Sequence, residues 1–395
     1  MYRFSSRMNR VTASAIREIM KCMSDPTLIS LGGGNPAPES FPVEQIRDIA
    51  AKLLQEQPNK MLQYGLTLGW DPLREAYLQH MVLPKGIDAT LDNIIIFTGS
   101  TEGIHLTADV FLDEGDVVLV EDPSFLGTLN VLRKLGARIY GVKTDGDGVL
   151  LDDLEAKIRE LHPKLFYTIP TFQNPTGRTT ALERRRRIAE LADEYQMIVL
   201  EDDPYADVRI SGTPLPPIKK FDQSGYVVLM NSFSKIISPG LRVGAAVADP
   251  EIVRKLEMVK QGVDVNTSIL PQAICAEFLD RGLLPQQLER ISRIYGVRLQ
   301  AMLDGLRREF PAGTRFTEPE GGLFVWAQIP GVADTTALLQ RAIRECHVAY
   351  VPGETFCLDP NEGKDSIRLN FSASSPEQIT TAIQRLGRLF RDAAV

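Results

Sequence analysis

YVVLMNSFSKIISPGLRVGAAVA, residues 226–248, opens on a short apolar run, breaks into a loop with hydroxyls, one lysine and one arginine, and closes on a second apolar run. Short runs rich in Val and Ile, bounded by Ser, Pro and Gly, read as strands. Working outward toward the N-terminus, the same kind of run recurs in MIVLED (197–202), KLFYTIP (164–170), RIYGV (138–142), DVVLVE (116–121) and NIIIFT (93–98). Helical periodicity fills the stretches between them. Strand and helix in alternation predict a largely parallel, doubly wound sheet from about Asn93 to about Val247.

Beyond that core the pattern changes. Pro250 to about Arg308 is mostly helical, and FTEPEGGLFVWAQI and SIRLNFS then supply new strands around the helix TTALLQRAIREC, which reads as a smaller α+β unit. At the other end, Ala13 to Met23 has helical spacing, and Ile29 to Leu31 runs into the turn-forming GGGNPAPESFP. We therefore expect an N-terminal arm and entry segment over 1–45 that packs with the small domain, a large domain over 46–285 and a small C-terminal domain over 286–395. A chain of 395 residues exceeds what one core usually supports, in keeping with two lobes.

The net charge of −7 gives no general attraction for nucleic acid or anionic membrane, although a small anion could still bind locally. The four cysteines lack metal-ligand spacing and disulfide density, the four histidines stand apart, and no stretch approaches membrane-span length. The expectation is a cytoplasmic protein without a metal site.

Ligands of open α/β sheets sit beyond the carboxyl ends of the strands, so the residues there were collected. After NIIIFT, Ser100 and Thr101 open a helical stretch and offer hydroxyls and backbone N–H groups to an anion. Ser100 alone could equally be a simple N-cap. After KLFYTIP, Asn174 in QNPTG presents a donor and an acceptor. After MIVL, Asp202 and Tyr205 place a carboxylate and a phenol at the end of an apolar strand. A buried carboxylate needs a partner, and a protonated pyridine nitrogen would be one. In the loop quoted first, Lys235 beside Arg242 should lose its proton readily and attack a carbonyl, while Arg242, Ser232 and Ser234 suit a phosphate. Each motif is weak alone. Together, phosphate donors, a carboxylate, a phenol and one lysine at four strand ends point to a functional site rather than to coincidence.

With these residues in hand, the sequence resembles the fold-type I class I/II aminotransferases, and within them the 2-aminoadipate/kynurenine and aromatic group. The likeness runs from SAIREIM and ISLGGGNPAPESFP through QYGLTLGWDPLR, EDPSF, NPTG, EDDPY and SFSKIISPGLRVG to PEGGLFVW and RLNFS. It implies an aspartate aminotransferase-like α/β fold with pyridoxal 5′-phosphate as cofactor, Lys235 carrying it as a Schiff base and Asp202 facing the pyridine nitrogen. It also implies that Tyr205 and Asn174 hold the ring hydroxyl. Ser100, Thr101, Ser232, Ser234 and Arg242 would bind the phosphate, joined by Tyr64 from the second subunit of a homodimer. Phe125 would stack on the ring where the family often has Tyr. Arg368 would fork onto the substrate α-carboxylate beside Gly34, and Arg17 would lie near the substrate side chain. The implied reaction is ping-pong transamination of aromatic or 2-aminoadipate-like donors, with 2-oxoglutarate as acceptor.

Two other readings share the scaffold: a lyase or decarboxylase with the same cofactor, and the aminotransferase-like sensor domain of a transcription regulator. The acidic charge and the lack of a recognisable DNA-binding segment speak against the second. Two further features take plain structural readings. ERRRR (183–187) is expected to be a solvated helix face with a Glu183–Arg187 pair, and Leu323, Phe324, Val325 and Trp326 to be strand core.

Overall fold

The computed structural model describes residues 2–10 and 27–394. Its strands in chain order begin with β1 (Ile29–Ser30), β2 (Ile94–Phe97), β3 (Val117–Asp122), β4 (Arg138–Asp145), β5 (Gly148–Val149), β6 (Leu165–Thr168) and β7 (Ile198–Asp203). They continue with β8 (Val227–Ser232), β9 (Gly244–Val247), β10 (Arg315–Phe316), β11 (Phe324–Gln328), β12 (Val348–Ala349), β13 (Val351–Pro352) and β14 (Ser366–Asn370). The apolar runs singled out in the sequence become the large sheet, ordered β2-β9-β8-β7-β6-β3-β4-β5.

Alternation along each strand splits the large domain into two cores. Val118, Val120, Leu165, Tyr167, Ile198 and Leu200 enter one, with Ile104 and Leu129 from the helices Ser100–Phe111 and Leu126–Leu135. Their neighbours Leu119, Phe166 and Val199 enter the other, with Leu154 and Ile188 from the helices Leu151–Leu161 and Leu182–Tyr195. A sheet covered on both faces accounts for the nearly unbroken apolar runs.

Four adjacent pairings, β4 with β3, β3 with β6, β6 with β7 and β7 with β8, are parallel, as expected. The departures are β9, antiparallel to both β2 and β8, and the short edge strand β5. The reason lies in the stretch quoted first. Its loop between β8 and β9 carries no crossover helix, so the chain must turn back rather than re-enter in parallel.

The second sheet, β10-β11-β14-β13, is antiparallel and packs with the helices Leu284–Glu309, Thr335–Cys346 and Pro376–Ala393. β1 pairs in parallel with β12, Ile29 opposite Val348, so the segment after residue 27 is tied to this sheet's neighbourhood. The expected boundary after residue 285 falls in the first turn of Leu284–Glu309. Among the described residues no helix is long and apolar enough to cross a membrane.

The expectation for ERRRR is corrected. Arg185 is buried and donates to the carbonyls of Thr180, Pro170 and Pro216 and to Thr171 Oγ1, closing the turn that follows the NPTG loop. Arg184 pairs with Asp145 at 2.6 Å, and Arg187 with Glu190 and Glu194 rather than with Glu183. Four consecutive arginines cannot share one face of a helix, so one of them necessarily points inward.

Candidate active site

The carboxyl ends of β2, β3, β7 and β8, and the loop after β6, converge on one cavity of about 280 Å³. Ser100 and Thr101 reach it from the start of the helix after β2, Phe125 from the turn after β3, and Asn174 from the loop after β6. Asp202 and Tyr205 enter from β7, and Ser232, Ser234, Lys235 and Arg242 from the end of β8 and its loop. The opposite wall brings Gly34 from the segment after β1 and Arg368 from β14. Residues more than 300 positions apart in sequence thus share one cleft between the two sheets.

The corner of the cavity where Ser100 and Arg242 meet is built by glycine. Gly99, at φ +83°, precedes the helix Ser100–Phe111, and a Cβ there would sit 2.3 Å from Arg242 Nη2. With glycine in place, the Arg242 guanidinium lies across the helix N-terminus and donates to the Thr98 carbonyl at 3.3 Å. Gly244 does the same for β9, since a Cβ there would meet the Ser100 nitrogen at 2.6 Å. Free N–H groups at the helix start, the guanidinium and the hydroxyls of Ser232 and Ser234 therefore face one corner.

Lys235 Nζ donates to the Gly34 carbonyl at 2.7 Å. Burial, aided by the charges of Arg242 and Arg368, brings its pKa down to about 8, so a useful fraction is free amine near neutrality. Asp202 Oδ2 accepts from the Tyr167 hydroxyl at 2.8 Å, whereas Oδ1 is buried without a partner among the described residues. Burial pushes this carboxyl up to about 7; the Tyr167 hydrogen bond opposes the shift and the neighbouring Asp203 adds to it. Burial also raises the phenol of Tyr205.

Arg368 is buried, with Nη1 donating to Asn174 Oδ1 at 2.9 Å and Nη2 to the Gly32 carbonyl at 2.6 Å. Its guanidinium lies over the rings of Phe324 at 4.2 Å and Phe356 at 4.9 Å. Among the described residues no carboxylate pairs with it and its Nε has no partner, and burial lowers its pKa to about 10. A buried cation held by neutral acceptors and aromatic faces keeps capacity for an incoming anion.

Of the residues expected at the site, Tyr64 lies apart from this cavity: it is 79% exposed. Arg17 lies outside the described residues. Sequence reasoning missed three participants. Tyr167 was read only as part of a strand, although it is the polar member of KLFYTIP on the same face as the pocket. Phe324 was assigned to core yet lines the cavity, while Leu323 and Val325 are core as expected. Phe356 ends the short 3-10 helix Gly353–Phe356, which is too brief for periodicity to mark it.

A buried lysine of lowered pKa, a buried carboxyl with one oxygen unpartnered among the described residues, and a glycine-shaped helix start thus gather at strand ends of a mixed α/β sheet. Residues 26–386 match the family Aminotransferase class I and II, and the chain belongs to it. It is an aminotransferase of aspartate aminotransferase-like fold type I. It is 39% identical to the aromatic-amino-acid aminotransferase 1 of Thermococcus litoralis, over 98% of this chain and 94% of the relative. It is also 39% identical to the 2-aminoadipate transaminase of Thermus thermophilus, over 98% and 96%. Among solved structures, the Pyrococcus horikoshii kynurenine aminotransferase, solved with PMP, superposes with a TM-score of 0.94 at 39% identity, covering 98% of this chain and 97% of that one.

Proposed function

We propose that this chain transaminates aromatic and/or 2-aminoadipate-like α-amino acids with pyridoxal 5′-phosphate held in the cleft and attached at Lys235, using 2-oxoglutarate as acceptor. The observation that carries the proposal is Asp202, which lines the same cavity as Lys235 and whose buried Oδ1 has no partner among the described residues. A protonated pyridine nitrogen supplies the missing donor and the missing positive charge together. The phosphate fits the corner made by Ser100, Thr101, Ser232, Ser234 and Arg242, and Phe125 stacks on the ring. Asn174 and Tyr205 hold the ring hydroxyl.

The cofactor, when bound, supplies the electron sink and the carbon that receives the amino group. The chain does the rest. Asp202 holds a proton on the ring nitrogen, and Arg368 binds the substrate α-carboxylate, with Gly34 beside it. Lys235 Nζ would take the proton from the substrate α-carbon, hold it and give it back as the amino group moves. One cleft serves donor and acceptor in turn, so the kinetics are ping-pong. The choice of donor is supported by the relatives' activities and by an apolar lining that includes Ile104, Ile169 and Phe324. Arg17 is proposed to act on the substrate side chain.

The active enzyme is proposed to be a cytoplasmic homodimer, with the domain division 1–45, 46–285 and 286–395. In support of the dimer, exposed Tyr64 is flanked by exposed Leu62 and Leu66, and Thr67 just beyond them donates from Oγ1 to the carbonyl of exposed Val265 at 2.7 Å. An apolar patch around a residue that the resemblance assigns to the neighbouring site fits a second copy of this chain.

The test is an absorbance spectrum of the purified protein with single amino acids, keto-acid products being identified by mass spectrometry. A pH-sensitive band that bleaches with aromatic amino acids or 2-aminoadipate and returns with 2-oxoglutarate is expected. It should be missing from Lys235→Ala, and a panel in which only small aliphatic amino acids react would overturn the donor assignment.

A further inference from the structure

Beneath the anion-binding corner lies a charged cluster that none of the proposed chemistry uses. Lys260, in the last turn of the helix Pro250–Gln261, is fully buried and packs near the ring of Phe97, 5.7 Å from its centroid. Its Nζ donates to both oxygens of Asp264, at 2.8 and 2.7 Å, to Thr267 Oγ1 at 3.1 Å and to Glu102 Oε2 at 3.3 Å. Both carboxylates in turn hold Thr98. Glu102 Oε2 accepts from the Thr98 N–H at 2.5 Å, and Asp264 Oδ2 accepts from its hydroxyl at 2.8 Å. The Thr98 carbonyl, on the other side of the same residue, accepts from Arg242.

Thr98 and Gly99 are thus clamped between Arg242 and this cluster, and they set the position of Ser100 at the helix start. Charge decides what the clamp does. Two carboxylates next to an anion site oppose the anion, and Glu102 lies in the first turn of the very helix whose N-terminus would bind it. One buried lysine offsets half of that charge at close range, where solvent screens little.

We infer that Lys260 is a positioning residue for the cofactor's phosphate: it offsets one of the two charges of Glu102 and Asp264, so that they can fix the Thr98–Ser100 turn with less repulsion of the dianion. This rests on the reading that Ser100 and Arg242 cradle that phosphate. Neither Lys260 nor its two partners touches the cavity, so the effect is transmitted through Thr98.

The experiment is the rate of cofactor release from the holoenzyme on dilution into a trap, followed by absorbance, with pyridoxal phosphate and with unphosphorylated pyridoxal. Lys260→Met is expected to release pyridoxal phosphate about tenfold faster and pyridoxal at an unchanged rate, the scale of one uncompensated charge near a helix start. Adding Glu102→Gln and Asp264→Asn to Lys260→Met should restore slow release, because the repulsion is gone. A packing role would not be rescued by removing charge, so a triple variant as leaky as Lys260→Met overturns the inference. Arg242→Gln is the reference. If it speeds release and Lys260→Met does not, this inference alone fails; if it leaves release unchanged, the cradle reading fails and takes the inference with it. Should Lys260→Met not fold, Asp264→Asn with Lys260 retained makes the cluster neutral and is expected to slow release of the phosphorylated cofactor, and unchanged or faster release counts against the role.

Discussion

Lys235 owes its chemistry to its surroundings. The side chain was legible in the sequence as the lone lysine of SFSKIISPG, but its lowered pKa comes first from burial, then from Arg242 and from Arg368, which lies 133 positions away on the other wall of the cleft. Burial and two cations all favour the neutral amine. The sign is therefore fixed: below about 8 the amine is mostly protonated and cannot attack a carbonyl, and above it the amine is mostly free. Capture of pyridoxal phosphate by the apoenzyme should accelerate with pH through about 8 and then level, as read by stopped-flow absorbance. A rate still climbing toward pH 10 would mean a solvated, ordinary lysine. Asp202 teaches the complementary lesson. Its place at a strand end could be read from MIVLED, whereas its single hydrogen bond to Tyr167 and its unpartnered Oδ1 could not.

At the scale of the element, strands were readable because burial on both faces demands unbroken apolar runs. Helix faces were readable only where polarity alternates. Leu182–Tyr195 shows the limit: ERRRR reads as solvent-facing, yet Arg185 is buried because three carbonyls of the loops around it need donors. Replacing Arg185 with Met, which keeps bulk but donates nothing, removes a donor from each of those carbonyls, of which that of Pro170 still accepts from the Thr180 N–H. A loss of about 2–4 kcal/mol in urea unfolding is expected, in the range measured for broken buried networks. A loss within about 0.5 kcal/mol, the level of surface substitutions, would restore the solvated reading. The direction of β9 belongs here too. The absence of a crossover helix after β8 was visible in the sequence, and it is what forces the antiparallel return.

At the scale of the whole molecule, the site is assembled from both sheets, and the proposed dimer would add Tyr64 from a second copy. That arrangement makes a prediction about mixtures. Lys235→Ala and Tyr64→Ala each damage every site in their own homodimers. In a hybrid dimer, the subunit that retains Lys235 would receive an intact Tyr64 from its neighbour, giving one complete site. Co-expressed or refolded mixtures of the two variants should therefore exceed the summed activity of the parents in a coupled transamination assay. Activity no greater than that sum would place Tyr64 outside the neighbouring site.

The amino-acid sequence by itself determined the alternation of strand and helix, the strand ends where chemistry collects, and the residues that resemble an aminotransferase site. These are local properties, set by periodicity, turn chemistry and residue type. Tertiary structure alone decided that Arg368 lies against Phe324 and Phe356 with no carboxylate opposite among the described residues, that Asp202 keeps one oxygen unpartnered among them, and that Lys260 is tied to Thr98 through Glu102 and Asp264. Burial, charge proximity and hydrogen-bond satisfaction depend on which distant segments meet, and no window of sequence contains that.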